Sequence, residues 1–158
     1  MNINLAIIQG ASVLKDNLIN NPYLDSEILM AKAIDKDRKY ILINSNRYVD
    51  SKDLNSFKEL IKKRSLGEPI AYLTNKKFFW DTEFAVSHDT LIPRPDTELI
   101  VEKVLELTAQ KKITNILEIG IGSGCVLLSI LKERKDFYGV GIDISKNCLN
   151  ISKLNAIK

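Results

Sequence analysis

Three glycines at alternate positions with an acid just before them give this sequence its clearest chemical pattern. Residues 118–124 read Glu-Ile-Gly-Ile-Gly-Ser-Gly. An apolar run with Ile113, Ile116 and Leu117 precedes them, and another with Val126, Leu127, Leu128, Ile130 and Leu131 follows. The first run reads as a buried parallel strand and the second as an amphipathic helix, so the glycines fall in a strand-to-helix turn. A turn without Cβ atoms lets a ligand come close to the backbone. A second apolar segment, 138–142, ends in Asp143, and a carboxylate placed there can accept hydrogen bonds from ribose hydroxyls. The pattern points to a nucleotide-like ligand. The alternative is a tight α/β turn that binds nothing.

The spacing narrows the ligand. Counted from Gly120, a dinucleotide fingerprint G-x-G-x-x-G/A needs a small residue where Cys125 stands. Glu118 at the strand end would instead suit a ligand with a cationic amino group, such as S-adenosylmethionine, which has no pyrophosphate to cradle. The E-x-G-x-G-x-G pattern with a later acid resembles motif I and the acidic motif II of class I methyltransferases. On that resemblance Glu118 takes the amino end of S-adenosyl-L-methionine. Gly120, Ile121, Gly122 and Gly124 allow close backbone approach, and Asp143 holds the ribose.

Residues 84–102 read Phe-Ala-Val-Ser-His-Asp-Thr-Leu-Ile-Pro-Arg-Pro-Asp-Thr-Glu-Leu-Ile-Val-Glu. Upstream lie Gly67-Glu68-Pro69-Ile70-Ala71-Tyr72-Leu73, then Phe78-Phe79-Trp80, and Pro22-Tyr23-Leu24-Asp25-Ser26-Glu27-Ile28-Leu29. Together, in this order and spacing, these resemble the HemK/PrmC-type peptide chain release factor glutamine methyltransferases, in which Leu-Ile-Pro-Arg-Pro-(Asp/Glu)-Thr-Glu is the hallmark. The resemblance covers essentially the whole chain. It implies methylation of the side-chain amide of the glutamine in the Gly-Gly-Gln loop of class I release factors, a cytoplasmic step of translation termination. It also implies that the segment at 91–98 folds over the cofactor pocket, which adds Pro93, Arg94 and Thr97 to the candidate site. Read without the family, Pro93 and Pro95 make a stiff connector. Asp96 or Thr97 would cap a helix running to about Ala109, with Glu98 near its positive end, and Arg94 and Glu98 would be a surface ion pair.

In that family the chemistry belongs to an Asn-Pro-Pro-Tyr motif that orients the target amide toward the sulfonium methyl, catalysis chiefly by positioning. No Asn-Pro-Pro occurs here, since Asn21-Pro22-Tyr23 comes too early and lacks the second proline. No catalytic residue is therefore assigned. The chain is expected to be the front portion of the enzyme, also lacking the adenine-contacting acidic turn after a third strand. The expected class is α+α/β: an N-terminal helical bundle, a β-hairpin connector and the start of a class I (Rossmann-like) methyltransferase domain. The expected division is a helical substrate-recognition domain at 1–72, a connector at 73–92 and a truncated S-adenosylmethionine-binding part at 93–158. A sheet of two parallel strands would leave an edge and a face without cover, so 111–158 is expected to gain order from a C-terminal fragment or self-association. Two other readings stay open. One is a non-catalytic truncated or split-gene product that keeps the helical domain. The other is a nucleic-acid adenine amino-methyltransferase relative, against which the 91–98 signature argues.

The elements that must position these residues are legible in outline. Leu5, Ile7, Ile8, Val13 and Leu14 suggest a first helix broken near Gly10. Asn21-Pro22 starts a second, with Leu24, Ile28, Leu29 and Ala33 at helical spacing. Tyr40, Ile41, Leu42 and Ile43 suggest a short third helix, and Ser51 heads a fourth whose Leu54, Phe57, Leu60 and Ile61 face inward. Residues 76–87 suggest a β-hairpin around Trp80-Asp81-Thr82.

Composition sets the remaining limits. With 45% apolar and 27% charged residues the chain can bury a core, and disorder is not expected. No stretch reaches membrane-spanning length, and the N-terminus lacks a basic signal-peptide region. The net charge of +3 is modest. The basic clusters Lys62-Lys63-Arg64, Lys76-Lys77 and Lys111-Lys112 lack interleaved aromatics, so no direct nucleic-acid partner is expected. Cys125 and Cys148 have neither metal nor redox spacing, and His88 stands alone as the only histidine. No metal site is expected.

Overall fold

A computed structural model describes residues 1–112 and 114–158. Ile113, assigned above to the apolar run before the glycines, lies outside the described residues. The chain forms two compact units, 1–74 and 75–158, each with its own core.

The first unit is helical: α1 (Ile3–Asp16), α2 (Pro22–Ala33), α3 (Arg38–Ile43), α4 (Ser51–Ser65) and α5 (Ile70–Thr74). Side-chain caps set several starts. Asn2, Asp37 and Asp50 accept from the backbone N–H groups of Leu5, Tyr40 and Asp53, while Pro22 occupies the first turn of α2. The cap of α4 is thus Asp50, one residue before the expected Ser51. Buried Ile3, Ile7, Leu14, Leu29, Met30, Ile41, Phe57 and Ile61 make the core. Polar groups of α2 tie it to three neighbours: Ser26 Oγ donates to Ile7 O (2.8 Å), Asp25 pairs with Arg64 (2.8 Å) and Glu27 pairs with Arg38 (2.8 Å).

The expected break at Gly10 does not occur, and α1 runs through it. Gly10 is there because the helices approach too closely for a side chain. A Cβ would lie 2.6 Å from Ser26 Oγ and 2.7 Å from Phe57 Cζ. The propensity cost of glycine is accepted in exchange for contact.

The second unit begins with the antiparallel hairpin β1 (Lys76–Phe79) and β2 (Thr82–Ala85), in register Lys76↔Ala85 and Phe79↔Thr82. A 3₁₀ turn (Pro95–Thr97) leads into α6 (Glu98–Leu107). Then follow β3 (Asn115–Ile119), α7 (Cys125–Glu133), β4 (Tyr138–Ile142) and α8 (Lys146–Ile157). Strands β3 and β4 pair in parallel, Leu117 beside Val140 and Ile119 beside Ile142. Helix α7 can lie close on this sheet because β4 carries Gly139, whose Cβ would meet Leu131 and Leu127 at 2.7 and 2.8 Å. Phe79, Phe84, Val101, Ile130 and Phe137 form the core, with the Phe79 and Phe84 rings edge-to-face.

Side chains alternate across a strand, and here only one face of the sheet is covered. Leu117, Ile119, Tyr138, Val140 and Ile142 are exposed on the other. The apolar runs that read as buried strands are therefore only half-buried, and on one side alone. Among the described residues the sheet has two strands, and the side chains on that face stay exposed.

Gly10 provides a test. Alanine gains about 1 kcal/mol of helix propensity, but forcing a methyl into a packed contact costs about 1–3 kcal/mol. Gly10→Ala is expected to lower the urea midpoint. An unchanged or higher midpoint would show that α1 and α2 part freely at this point.

Candidate functional site

The glycine loop, 120–124, leaves the end of β3 with three positive φ angles: 78° at Gly120, 54° at Gly122 and 81° at Gly124. Other residues rarely adopt that region. A Cβ at Gly120 or Gly122 would meet nothing within 4 Å, so the space above the loop is open. At Gly124, which heads α7, a Cβ would be crowded by Leu128 at 3.0 Å and Ser152 at 3.3 Å. The first two glycines keep a surface clear, and the third is needed for packing as well as for its φ.

Four of the loop amides are satisfied within the unit. Gly120 N and Ile121 N donate to Ile142 O (2.8 and 3.0 Å), and Gly124 N donates to Ile121 O (2.8 Å). Gly122 N donates to Asp143 Oδ2 (2.9 Å), and the other oxygen of Asp143 accepts from Ser145 N (2.9 Å). Those backbone donors, Ser145 first and Gly122 second, hold the Asp143 carboxyl below the usual carboxylate range. Asp143 is thus part of the loop's scaffold, and each oxygen keeps a further lone pair for a hydroxyl donor. The Ile121 side chain folds back against Gly141 of β4. Only its backbone is available to the loop's open side.

Glu118 points to the start of α7, where its Oε2 accepts from Leu127 N (3.1 Å). The N-terminus of a helix carries partial positive charge and ordinarily attracts phosphate. Here a carboxylate of the same chain is already there. A pyrophosphate would face that charge at close range, whereas an ammonium group would be attracted. Burial raises the Glu118 carboxyl above its ordinary 4.5, only partly offset by the Leu127 N–H. Burial likewise pushes up the half-buried Cys125 thiol, so it is not a reactive thiolate. Cys148 is buried and donates to Asp89 O (3.1 Å).

Residues 91–98 are placed differently from the expected cap and ion pair. Thr97 is already helical, with φ −72° and ψ −18°, because the 3₁₀ turn runs straight into α6, and neither it nor Arg94 makes a side-chain cap. The Glu98 carboxylate instead accepts from Trp80 N (2.8 Å). Trp80 sits at the hairpin turn with φ 56°, a strained place for a bulky residue. Its indole Nε1 donates to Glu133 (2.9 Å), and Lys132 pairs with Asp81 (2.9 Å). The hairpin tip is thus fastened to both α6 and α7. Pro93 is buried and Arg94 exposed. Among the described residues, no hydrogen bond or ion pair joins Pro93, Arg94 or Thr97 to the glycine loop.

Two contacts around the candidate site have no counterpart in the sequence pattern. One is the Glu98–Trp80 bond. The other is Asn155 of α8, whose amide reaches both Ala85 and Ser123. An asparagine in the last turn of a helix of mixed polar and apolar residues carries no sequence signal of its own. No group of three His, Cys, Asp or Glu among the described residues could hold a metal, and no helix among them is long and apolar enough to cross a membrane.

Comparison with known proteins agrees with the motif reading. Residues 6–74 match the family model of the PrmC N-terminal domain. The chain is 37% identical over 147 residues to the release factor glutamine methyltransferase of Buchnera aphidicola subsp. Acyrthosiphon pisum, covering 93% of this chain and 53% of the relative. To that of Leptospira interrogans it is 38% identical over 146 residues, 92% of this chain and 51% of the relative. A bifunctional methyltransferase of Rickettsia bellii is 33% identical over 176 residues, 95% of this chain and 32% of the relative. The chain thus spans about half the length of the release factor enzymes it matches.

The raised Glu118 carboxyl gives a pH-dependent test. The folded chain holds this proton more tightly than the unfolded chain, so ionising Glu118 costs stability. The cost is absent below the ordinary 4.5, grows as pH rises from there, and is complete once the pH exceeds the raised value. Glu118→Gln keeps an acceptor for Leu127 N and removes the charge. It is expected to melt higher than the native chain at pH 7 and to lose that advantage below about pH 4.5. A variant that melts lower at pH 7 would mean that the helix-end attraction outweighs burial.

Proposed function

We propose that this chain, similar along its length to HemK/PrmC-type release factor glutamine methyltransferases, is the cofactor-binding front part of such an enzyme, with S-adenosylmethionine as methyl donor. The observation that carries this reading is the Glu118 carboxylate seated at the start of α7 beside an open glycine loop. That pairing disfavours a phosphate and favours a ligand whose near end is an amino group. The parallel β3–α7–β4 unit supports a Rossmann-like start to the domain.

In this reading Glu118 receives the amino end, the backbone of Gly120, Ile121 and Gly122 lies against the ligand, and Asp143 accepts from the ribose hydroxyls. Gly124 shapes the loop. Pro93, Arg94 and Thr97 lie near the same pocket. When bound, S-adenosylmethionine supplies an electrophilic methyl group on a sulfonium. The acceptor is the glutamine side-chain amide of the Gly-Gly-Gln loop of release factors, met in the cytoplasm and recognised by the helical unit. An amide nitrogen is a weak nucleophile because its lone pair is shared with the carbonyl, so orientation must supply much of the acceleration. The residues for that orientation, an Asn-Pro-Pro-Tyr motif, are not in this sequence. Transfer is therefore assigned to this chain together with a segment carrying them. The same segment, or a second copy of this chain, would also cover the exposed face formed by Leu117, Ile119, Tyr138, Val140 and Ile142.

Calorimetry with S-adenosylmethionine and with NAD tests the reading. S-adenosylmethionine is expected to bind and NAD not to. Asp143→Ala should weaken binding by about 1–3 kcal/mol, the scale of lost hydrogen bonds to a charged group. Binding of NAD in preference, or an unchanged affinity in the variant, would remove the proposed ligand or Asp143's part in holding it.

A further inference from the structure

Asn155 is buried near the end of α8 and spends its whole amide on backbone. Its Oδ1 accepts from Ala85 N (2.7 Å), while its Nδ2 donates to Ala85 O (3.0 Å) and to Ser123 O (2.8 Å). The two bonds to Ala85 meet both backbone groups on the outer edge of β2, as a neighbouring strand would. The third bond reaches into the glycine loop. Ser123 is itself buried, between Gly122, whose N–H Asp143 holds, and Gly124, whose φ of 81° starts α7. The loop is therefore held at adjacent residues, by an acid on one side and an amide on the other.

Only a primary amide can do this. Aspartate offers no donor, serine is too short to meet two strands, and glutamine would need to fold an extra methylene into a packed site. Helix α8 is itself fixed at its other end. Ser145 caps it, Asn147 Nδ2 donates to Asp89 Oδ1 (2.9 Å) and Cys148 donates to Asp89 O (3.1 Å). The helix spans from the turn at 87–90 to the edge of β2, and Asn155 presents its amide from that braced position.

We infer that Asn155 is a positioning residue for the glycine loop: it fixes the Ser123 carbonyl and so couples ligand binding at the loop to the order of the hairpin edge at Ala85. The inference rests on the reading that the loop binds S-adenosylmethionine. It adds that loop and hairpin respond together. Binding at Gly120 and Gly122 slows opening at Ala85, and release of Ala85 loosens the loop.

The test uses the whole chain, with amide hydrogen exchange at Ala85, Gly122 and Gly124 and with calorimetry using S-adenosylmethionine. Asn155→Asp keeps an acceptor for Ala85 N but loses both donor bonds, and Asn155→Ala loses all three. Asn147→Ala removes a bond of α8 that does not touch the loop. The Asn155→Asp chain, assayed well below its melting temperature, is expected to bind roughly tenfold more weakly and to exchange faster at Gly122 and Gly124. Asn147→Ala should bind as the native chain does. In the native chain, ligand should slow exchange at Ala85, and in Asn155→Ala it should not. A purely structural asparagine would lower the melting temperature and leave the affinity of the folded protein unchanged, and that result overturns the inference. If the native chain binds no S-adenosylmethionine, the cofactor reading fails instead, and the exchange data decide alone. Faster exchange confined to the loop sustains the positioning role, and unchanged exchange at Gly124 in Asn155→Asp overturns it.

Discussion

A backbone that turns through three left-handed glycines must have its polar groups satisfied, and the arrangement of the second unit follows from that requirement. Backbone N–H and C=O groups cannot be buried unpaired without cost. The loop between β3 and α7 meets the rule with partners from sequence-distant places: Ile142 O at the end of β4, the Asp143 carboxylate beyond it, and the Asn155 amide on α8. Each partner needs the parallel pairing of β3 with β4, or the docking of α8, before it can arrive. Loop, sheet and helix therefore form together, and the open surface over Gly120 and Gly122 is a product of that joint closure.

The same economy governs charge. Glu118 and Asp143 both lie next to the loop but are held in opposite ways. Asp143 receives two backbone N–H groups and is kept ionised, while Glu118 is partly removed from water and resists ionisation. One acid organises backbone, and the other places negative charge where a helix end would otherwise invite phosphate. The two side chains carry the same functional group, and only their surroundings set them apart.

The hairpin is bound into the unit by side chains from the segments that follow it. Glu98 holds the amide of Trp80 in a conformation that a bulky residue adopts at some cost, and Glu133 holds its indole. On the other edge Asn155 takes both backbone groups of Ala85. A short two-stranded hairpin is marginal alone. Here its turn and its outer edge are each fastened to helices, and the segment bearing Glu98 serves as one of the fasteners.

The sequence by itself determined the local elements, the place of the glycine loop, and the family resemblance that residues 6–74 and the relatives bear out. Helical spacing, proline positions and strand alternation are short-range properties, so they can be read along the chain. Glycine's low helix propensity is visible in sequence, whereas the approach of Ser26 and Phe57 that makes Gly10 necessary inside α1 is not. At the start of α6 the same limit holds: Thr97 and Asp96 have the chemistry of a cap, but a 3₁₀ turn begins at Pro95 and Glu98 finds its partner in Trp80. The tertiary structure alone decided that Asp143 holds Gly122, that Glu118 sits at the start of α7, and that Asn155 bridges β2 to the loop. Those are hydrogen bonds between groups on different elements, and their geometry exists only after packing has brought the elements together.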